Sequence, residues 1–364
     1  MKLLLVTNSL ISCGGAARVM EKIARHFDAT IHVVRNEPAA ELEWFEGIDI
    51  QSAGSRLPLP QLELSQHFLN VDLRDYDIIN AHVSPSHWVR KRNSPLIWYC
   101  HTPERIAYDL REWKLQRLGP AQRAYFDLWG RFCRYQDSRI VPQIEHIFTN
   151  SRNTRSRISR YLKAPSEVLH PGVDAREFRC RDYEKFFFYP SRFSPEKDFE
   201  FVISAFREFS RSNPGWKLVL AGTKYEEAYS GKIRSLCDDS VVMETNITDE
   251  RLRDLYSRCY CTLYAPLDED FGLVPLEAMA SSKPCLARDR GGPKETVSDG
   301  ADGFLVSSPS EMAGRMSWLA NNPDACQAMG RSGRKKVLDK FTWERFLRRF
   351  GQKAEELLSE GAGG

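Results

Sequence analysis

The sequence predicts an α/β protein built from two doubly wound domains that face each other across a cleft. Short apolar strand-like segments alternate with helical patterns in both halves of the chain, which is typical of parallel sheets covered by helices. The length of 364 residues exceeds what one hydrophobic core usually organises. A turn-rich stretch, HPGVD, separates the halves. We therefore expect an N-terminal domain over 1–170, a second domain over 171–340, and a C-terminal helix over 341–364 that crosses back to the first domain.

The composition argues against several classes of protein. The net charge of +3 is close to balanced, so no nucleic-acid partner is expected. The nine cysteines are scattered without a CxxC pair, which argues against a disulfide framework or a zinc site and favours a reducing, cytoplasmic setting. No apolar run approaches the roughly twenty residues of a membrane-spanning helix.

The first strand is expected at Leu3–Thr7, a continuous apolar run of the kind that is buried on both faces. Gly14 and Gly15 follow, and a helical pattern then runs on through Phe27. Glycines at this turn let a ligand approach the backbone closely. Because the pattern is not GxGxxG, a simple tight turn is the alternative interpretation.

Two further strands, Asp77–His82 and Leu96–His101, flank a helix expected over Ser84–Arg92. His101 ends its strand and precedes a Thr-Pro pair, so it should lie at the carboxyl edge of the sheet. Ligands of open α/β sheets bind at that edge, which makes His101 a candidate functional residue. A histidine that only packs the structure is the alternative.

The segment Glu104–Arg139 has a different character, since it is long, helical in pattern, rich in arginine and interleaved with aromatic residues. Core packing with a solvated charged face would explain most of it. The sharper interpretation is a basic amphipathic surface that contacts an anionic membrane or an anionic acceptor. The stretch Ser310–Gly351 is also helical in pattern and is basic toward its end.

The second half of the chain restarts the alternation of strands and helices. A strand at Phe186–Pro190 and a helix at Asp198–Ser210 begin it. The other strands expected here are Trp216–Ala221, Val241–Glu244, Cys259–Leu263 and Pro284–Ala287. The two halves therefore share an architecture, although their sequences show no repeat.

The stretch Tyr264–Ala280 holds two glutamates, Glu269 and Glu277, with seven residues between them. Glu269 follows a strand, and Glu277 falls in the first turn of a helix that Pro275 can open. The start of that helix offers backbone N–H groups and a positive dipole end to an anion such as a phosphate. An acidic, solvated surface loop is the alternative.

Two cations, Arg192 and Lys197, follow the first strand of the second half and lie next to a helix start. Together they can neutralise a diphosphate, because both side chains are charged near neutral pH. A solvated turn is the alternative for this segment. A second glycine turn, Gly291–Gly292, precedes another helix and is expected at the same edge of the sheet.

These features together resemble the retaining glycosyltransferases of family 4, which have the GT-B fold of two Rossmann-like domains. The resemblance rests on Arg192 with Lys197, on Glu269 and Glu277 in the context FGLVPLEAMA, and on the glycine turns and HPGVD, and it spans essentially the whole chain. The segment YCHTPER, Tyr99–Arg105, resembles bacterial mannosyltransferases of surface-polysaccharide assembly. The resemblance implies an acceptor-side first domain and a donor-binding second domain.

The resemblance also implies a role for each candidate residue. His101 and Glu269 would act at the reacting centre, and Glu277 would bind the ribose of the nucleotide. The donor diphosphate would be bound by Gly15, Arg192 and Lys197. The donor sugar would be bound by Glu269 and by backbone N–H groups near Phe271, Gly272 and Leu273.

The implied activity is transfer of a hexose, with retention of configuration, from a nucleotide diphosphate sugar to a hydroxyl of a glycan or a lipid-linked glycan. GDP-mannose is the first choice of donor, and UDP-glucose, UDP-galactose and UDP-N-acetylglucosamine stay open.

No cofactor is expected. The run Asp268-Glu269-Asp270 matches a metal-binding D-x-D, but the cations Arg192 and Lys197 can neutralise the diphosphate in place of a metal. The expected location is the cytoplasm, with peripheral contact to the inner face of the cell membrane.

Three other functions fit parts of the same pattern. A sugar-nucleotide epimerase could use the same architecture and would convert its substrate without an acceptor. A non-catalytic subunit could bind sugar nucleotides, although the intact charged residues of the predicted site speak against lost activity. A nicotinamide oxidoreductase is disfavoured, since the sequence lacks GxGxxG and an acidic residue on the second strand.

Overall fold

The computed structural model describes residues 1–10, 14–35, 42–54, 59–223 and 226–362. The chain forms two compact units, one made of Met1–Pro171 with Phe346–Gly364 and the other of Gly172–Arg345. Each unit has a parallel sheet and a hydrophobic core of its own. The predicted fold class, α/β with two doubly wound sheets, is confirmed.

The described part of the first unit contains one parallel sheet. Its seven strands are β1 Leu3–Ser9, β2 Thr30–Arg35, β3 Ile50–Ser52, β4 Ile78–Ala81, β5 Leu96–Cys100, β6 His146–Thr149 and β7 Glu167–Val168. Their order across the sheet is β3-β2-β1-β4-β5-β6-β7. The winding direction reverses between β1 and β4, so the carboxyl ends of these two strands flank the place where doubly wound sheets bind ligands.

The helices of the first unit follow its strands and bury apolar stripes. They are α1 Gly15–Phe27, α2 Pro60–Asn70, α3 Arg111–Leu115, α4 Pro120–Ile140 and α5 Arg152–Arg157. In α1 the buried positions include Val19, Ile23 and Ala24, which recur at helical spacing. Helix α5 is capped by Ser151, whose Oγ accepts a hydrogen bond of 2.9 Å from the N–H of Thr154.

The second unit contains a parallel sheet of six described strands. They are β8 Phe186–Pro190, β9 Lys217–Gly222, β10 Val241–Thr245, β11 Cys261–Tyr264, β12 Cys285–Arg288 and β13 Gly303–Val306. Their order is β10-β9-β8-β11-β12-β13, which repeats the order of the first six strands of the other unit. The winding direction therefore reverses between β8 and β11.

The core of the second unit is rich in phenylalanine. Its helices are α6 Phe199–Ser210, α7 Glu227–Arg234, α8 Asp249–Arg258, α9 Val274–Ala280, α10 Pro293–Thr296, α11 Pro309–Asn321 and α12 Pro323–Lys340. Phe187 of β8 meets Phe209 of α6 edge to face, with ring centroids 5.1 Å apart. Each such ring, fully buried, stabilises the fold by about 2–3 kcal/mol.

The last helix, α13 (Trp343–Ala362), belongs to the first unit from Phe346 onward. There the fully buried ring of Phe350 lies 5.7 Å from that of Phe27 and 6.2 Å from that of Phe148. Arg349 forms two hydrogen bonds of 2.7 and 2.8 Å to the carboxylate of Glu167. The first unit is therefore assembled from two separated parts of the sequence.

The predicted helical segments were too long. Glu104–Arg139 is not one helix: turns at 105–110 lead into α3, and α4 starts afresh with Pro120 at its beginning. A proline opens a helix but does not continue one, because it lacks the N–H group and clashes with the preceding turn. Ser310–Gly351 is likewise divided among α11, α12 and α13. The helix expected over Ser84–Arg92 is a short 3₁₀ helix at Ser86–Lys91.

Candidate functional site

In the second unit, two of the loops predicted to carry function follow β8 and β11, the strands between which the winding direction reverses. The β8 loop contains Arg192 and Lys197, and the β11 loop contains Glu269. A backbone hydrogen bond of 2.9 Å, from the N–H of Leu267 to the carbonyl of Glu196, joins the two loops. The topology therefore brings together segments that are about seventy residues apart in the sequence.

The ammonium of Lys197 and the carboxylate of Glu269 are in direct contact. Lys197 Nζ lies 2.6 Å from Glu269 Oε2, and the two side chains are only 12% and 22% exposed. Burial alone would raise the pKa of Glu269, but the charge and hydrogen bond of Lys197, a hydrogen bond from Tyr264 and the charge of Arg192 lower it. Glu269 is therefore held as a carboxylate that can only accept hydrogen bonds.

Arg192 is exposed on the same loop as Lys197. Its charge lowers the pKa of Glu269, so the guanidinium lies within electrostatic range of that carboxylate. Tyr189, the fourth residue of β8, donates a hydrogen bond from its buried hydroxyl to the carbonyl of Lys197. This bond holds the backbone of the lysine, so the ammonium projects from a fixed position.

The loop of Glu269 is braced from behind by the predicted glycine turn. The N–H of Gly292 donates to the carbonyl of Glu269 at 2.8 Å. A Cβ on Gly292 would lie 2.3 Å from the Cα of Phe271, and one on Gly291 would lie 2.5 Å from the carbonyl oxygen of Glu269. Only glycine permits this close approach of two backbones, so the turn shapes the loop.

Phe271, Gly272 and Leu273 connect this loop to helix α9. Phe271 is buried, and Gly272 has a φ of +85°, a conformation that favours glycine. A Cβ on Gly272 would also come within 2.8 Å of the Tyr264 ring. Leu273 is the residue immediately before the first turn of α9.

Glu277 lies in the first turn of α9, as the sequence predicted. Its Oε2 accepts a hydrogen bond of 2.8 Å from the hydroxyl of Tyr256 on α8. The Tyr256 side chain is fully buried, so its hydroxyl has a defined position. Glu277 is thus oriented from the core side of the helix.

In the first unit, His101 follows β5 at the carboxyl edge of the sheet, as predicted. Its Nε2 lies 3.1 Å from Nδ1 of His82, and its carbonyl accepts a hydrogen bond of 3.0 Å from Nδ2 of Asn150. Burial lowers the pKa of His101 to about 3, so the imidazole is neutral at physiological pH. Gly15 is the first residue of α1, and the two residues before Gly14 lie outside the described part of the chain.

The D-x-D run, Asp268-Glu269-Asp270, lies on the loop that follows β11. Among the described residues, no group of three or more His, Cys, Asp and Glu side chains is arranged to hold a metal ion. The charges of Lys197 and Arg192 act on the carboxylate of Glu269, the middle residue of the run. This arrangement is suited to binding an anion together with hydroxyl groups, because it combines cations with a carboxylate acceptor.

Four residues that position the site were not predicted from the sequence. They are Tyr256, Tyr264, Asn80 and His82, which orient Glu277, Glu269 and His101. From the sequence, the two tyrosines look like ordinary core residues. The neighbouring sequence does not distinguish a buried tyrosine that orients a functional side chain from one that only packs the core. His82 carried a usable signal, since it ends a strand in the same manner as His101.

Two family models match the chain, and they follow one another along it. The model described as Glycosyltransferase Family 4 matches residues 13–177. The model described as Glycosyl transferases group 1 matches residues 174–336. Their meeting point coincides with the change of unit between Pro171 and Gly172 to within a few residues.

Two mannosyltransferases are similar over much of this chain. The alpha-1,3/1,6-mannosyltransferase ALG2 of Dictyostelium discoideum is 28% identical over 296 residues, which cover 70% of this chain and 68% of the relative. The corresponding protein of Schizosaccharomyces pombe is 26% identical over 302 residues, which cover 70% of this chain and 57% of the relative. About a third of the first relative and more than two fifths of the second thus lie outside the match.

Solved structures match nearly the whole chain. The Anabaena protein HepE in complex with UDP-glucose has a TM-score of 0.79 at 18% identity, covering 98% of this chain and 100% of that chain. A sucrose-phosphate synthase from Thermosynechococcus elongatus has a TM-score of 0.76 at 17% identity, covering 99% of each chain. At such low identity the likeness shows a shared fold.

Proposed function

Since this chain belongs to the glycosyltransferases of family 4 and has their GT-B fold, we propose that it transfers mannose, with retention, from GDP-mannose to a hydroxyl of a glycan acceptor. The observation that carries the proposal is the Lys197–Glu269 pair, which lies where the winding of the second unit reverses. The mannosyltransferases to which the chain is similar support the choice of sugar. In this proposal the second unit binds the donor, and the first unit binds the acceptor.

The proposed donor site divides the work between cations and carboxylates. Breaking the bond between sugar and phosphate develops positive charge on the sugar and negative charge on the departing diphosphate. Arg192 and Lys197 stabilise the diphosphate, and fixed charges of this kind favour the transition state over the ground state. Glu269 accepts hydrogen bonds from donor-sugar hydroxyls, since it is held ionised. Glu277 accepts from the ribose, while Tyr256 keeps its carboxylate in place.

The proposed reaction proceeds on one face of the sugar. The bond from the anomeric carbon to the phosphate oxygen breaks, and the acceptor oxygen forms a new bond to the same carbon on the same face. The acceptor proton passes to the departing diphosphate, so the products are the glycoside and the protonated nucleotide diphosphate. Glu269 orients the donor in this scheme and is not the nucleophile, in contrast to the second carboxylate of retaining hydrolases.

The donor is tested by thermal unfolding of the full chain with a panel of GDP, UDP, GDP-mannose, UDP-glucose, UDP-galactose and UDP-N-acetylglucosamine. A ligand that binds only the folded protein raises the Tm. We expect GDP and GDP-mannose to give the largest shifts. Larger shifts with UDP and a UDP-sugar would instead assign a uridine donor. The UDP ligands are included because HepE, which shares the fold, was solved with UDP-glucose bound.

The catalytic assignment is tested with variants of the charged residues. Arg192→Ala combined with Lys197→Ala is expected to abolish release of GDP from GDP-mannose while the protein stays folded. Glu269→Ala is expected to lower the transfer rate much more than the affinity for GDP, whereas Glu277→Ala should weaken GDP binding. Turnover of donor without acceptor, yielding an isomerised sugar nucleotide, would instead identify an epimerase.

The acceptor is proposed to be lipid-linked, because the first unit exposes apolar and basic residues together. On α2 and α4, Leu62 is 55% and Leu128 is 69% exposed. A hydrogen bond of 3.0 Å between Tyr125 and Gln61 joins these two helices. Exposed arginines on α4 add positive charge, as on surfaces that bind anionic lipid. No described helix is long and apolar enough to span a bilayer.

Membrane contact is tested by flotation with vesicles of neutral lipid and of neutral plus anionic lipid. We expect the protein to float with anionic vesicles, and Leu62→Asp with Leu128→Asp to abolish flotation. Leu338→Asp on α12 is the matched control, since that leucine is 51% exposed in the second unit. If flotation is the same with and without anionic lipid and is unchanged in the double leucine variant, the membrane contact is refuted. The proposed location at the inner face of the cytoplasmic membrane would then be refuted as well.

A further inference from the structure

A chain of three polar side chains, two of them buried, ends at His101 in the first unit. Oδ1 of Asn80 lies 2.8 Å from Nε2 of His82, and Nδ1 of His82 lies 3.1 Å from Nε2 of His101. Asn80 and His82 are 0% and 1% exposed, whereas His101 is partly exposed. Buried polar groups of this kind are costly unless each donor meets an acceptor, so the positions of the protons can be deduced.

The orientation of the Asn80 amide determines the first proton. Its Nδ2 donates to the carbonyl of Ile97 at 3.0 Å. Turning the amide over would place two oxygen acceptors at that distance, which is repulsive. Oδ1 of Asn80 therefore faces His82, and because an amide oxygen only accepts, Nε2 of His82 carries a proton.

The proton on His82 determines the proton on His101. Burial lowers the pKa of His82 well below its ordinary value, and His101 lowers it further, so His82 is neutral and its Nδ1 has no proton. The contact between Nδ1 of His82 and Nε2 of His101 is then a hydrogen bond only if His101 donates. His101 is also neutral, so its proton lies on Nε2 and its Nδ1 is a bare acceptor.

The backbone of His101 is fixed as well. Its carbonyl accepts from Nδ2 of Asn150 at 3.0 Å and from Oγ1 of Thr154 at 3.4 Å. Nδ1 makes no hydrogen bond to any residue in the described ranges. Hydrogen bonds thus hold His101 at its backbone carbonyl and at Nε2. The other ring nitrogen, Nδ1, carries no proton and is left to accept a hydrogen bond from a ligand.

We propose that Asn80 and His82 are positioning residues that hold His101 as its Nε2–H tautomer, so that Nδ1 accepts a hydrogen bond from a sugar hydroxyl. A bare nitrogen repels a phosphate oxygen, which also only accepts, so His101 selects a hydroxyl and takes no part in binding the diphosphate. This inference rests on the proposed function, because it deepens the role of His101 in glycosyl transfer. The tautomer itself is a property of the free protein.

The tautomer is tested by nitrogen NMR of the full chain labelled with ¹⁵N-histidine, without ligand. Comparison with His101→Phe, His82→Phe and His26→Phe assigns the signals among the eight histidines. We expect His101 and His82 to show a protonated Nε2 and an unprotonated Nδ1 near neutral pH. A proton on Nδ1 of His101 overturns the proposal, whatever the activity.

The consequence for turnover is tested with two replacements of His82. His82→Phe keeps an aromatic ring at this position but removes the nitrogen that accepts from His101. We therefore expect His101 to populate both tautomers. We expect kcat to fall about tenfold, with a smaller change in KM. His82→Asn places an amide oxygen near the position of Nδ1 and should recover most of the loss. Equal losses in the two variants would indicate a purely structural role and refute the proposal.

Failure of the proposed function gives a different result. If His101→Phe turns over like the wild type while the NMR shows the expected tautomer, the role of His101 in transfer is wrong and the hydrogen-bonded chain stands. If His82→Phe does not fold, the NMR measurement on the wild type still decides between the two tautomers. Unchanged activity of His26→Phe controls for loss of a histidine ring.

Discussion

Lys197 determines the charge state of Glu269, and Glu269 in turn fixes the position of Lys197. The ammonium keeps the buried carboxylate ionised, and the carboxylate keeps the lysine in a single position through a contact of 2.6 Å. Each was expected to meet a different part of the donor, yet the two side chains are in contact with each other. If the proposed donor site is correct, the donor shares both groups, which would couple binding of the diphosphate to binding of the sugar.

The Lys197–Glu269 pair should make stability depend on pH in the acid range. The folded-state pKa of Glu269 lies below its ordinary value of 4.5, so its contribution is present above that value and is lost as the pH falls through the folded pKa. We expect the wild type to exceed Glu269→Gln in free energy of unfolding by about 1 kcal/mol near neutral pH and by less at about pH 3. Urea denaturation at several pH values measures the difference, and a gap that does not narrow in acid would contradict the pairing.

Glu104 should have the opposite effect. Burial, together with the charge of nearby Asp137, raises the pKa of Glu104 to about 7 against the opposing effect of a hydrogen bond from the N–H of Ile106. The folded protein therefore holds a proton that the unfolded chain releases above its ordinary pKa of 4.5, and stability falls as the pH rises toward 7.

Glu104→Gln should remove that loss of stability. We expect the variant to be about 1–2 kcal/mol more stable than the wild type at about pH 8, and close to it at about pH 4. Thermal or urea unfolding at the two pH values provides the test. Glu112→Gln, at an exposed position of α3, is the control for loss of a glutamate.

At the scale of elements, the geometry of the proposed site depends on strand ends and on the glycine turn behind them. Gly292→Ala should push the Glu269 loop away, because the new Cβ would lie 2.3 Å from the Cα of Phe271. We expect a loss of about 1–3 kcal/mol in stability and a large loss of transfer activity.

The matched control for Gly292→Ala is Gly231→Ala in α7. A Cβ at Gly231 meets no atom within 4 Å, and alanine favours a helix by up to about 1 kcal/mol over glycine. The control should therefore be neutral or slightly stabilising, with activity retained. If the two variants behave alike, the close approach at Gly292 does not shape the loop.

Much of the architecture was predictable at this scale because buried parallel strands read as unbroken apolar runs. Leu3–Thr7 and Phe186–Pro190 were found on that basis, and the family expected from the motifs was confirmed. Strands β3 and β7 were missed because they are short: Ile50–Ser52 is largely exposed, and Glu167–Val168 has only two residues. Two or three residues are too few to show the alternation of apolar and polar residues, or the apolar run, by which a strand is recognised in a sequence. Strand β13, Gly303–Val306, was also missed.

The site was predictable as a set of strand ends but not as a set of contacts. Arg192, Lys197 and Glu269 were placed at one edge because strand order puts them there. The contact of Lys197 with Glu269, and of Tyr256 with Glu277, depends on side-chain direction across the sheet or between helices. Local sequence does not encode that direction, so these partners became visible only in the folded chain.

At the scale of the whole molecule, the two units should respond separately to damage in their cores. Phe350→Ala removes a fully buried ring that packs on Phe27 and Phe148, which should cost the first unit about 3–5 kcal/mol. We expect hydrogen exchange to accelerate in β1 and β6 and to change little in β8 and β11. Mass spectrometry of peptic fragments measures both groups of strands in one experiment.

The reciprocal variant is Phe206→Ala, which removes a fully buried ring of α6 in the second unit. Its exchange pattern should be the mirror image, with protection lost from β8 and β11 and kept in β1 and β6. Equal loss across both sheets in either variant would mean that the chain unfolds as one cooperative body.

The assembly of the first unit from Met1–Pro171 and Phe346–Gly364 has a consequence for synthesis on the ribosome. The second unit is an insertion whose residues are contiguous, so it can complete its core while the nascent chain is still growing. The first unit is made earlier but waits, with the surface that receives Phe350 uncovered, until the final helix emerges from the exit tunnel. Chaperones that hold apolar surface would therefore engage the part of this protein that is translated first, and would release it last.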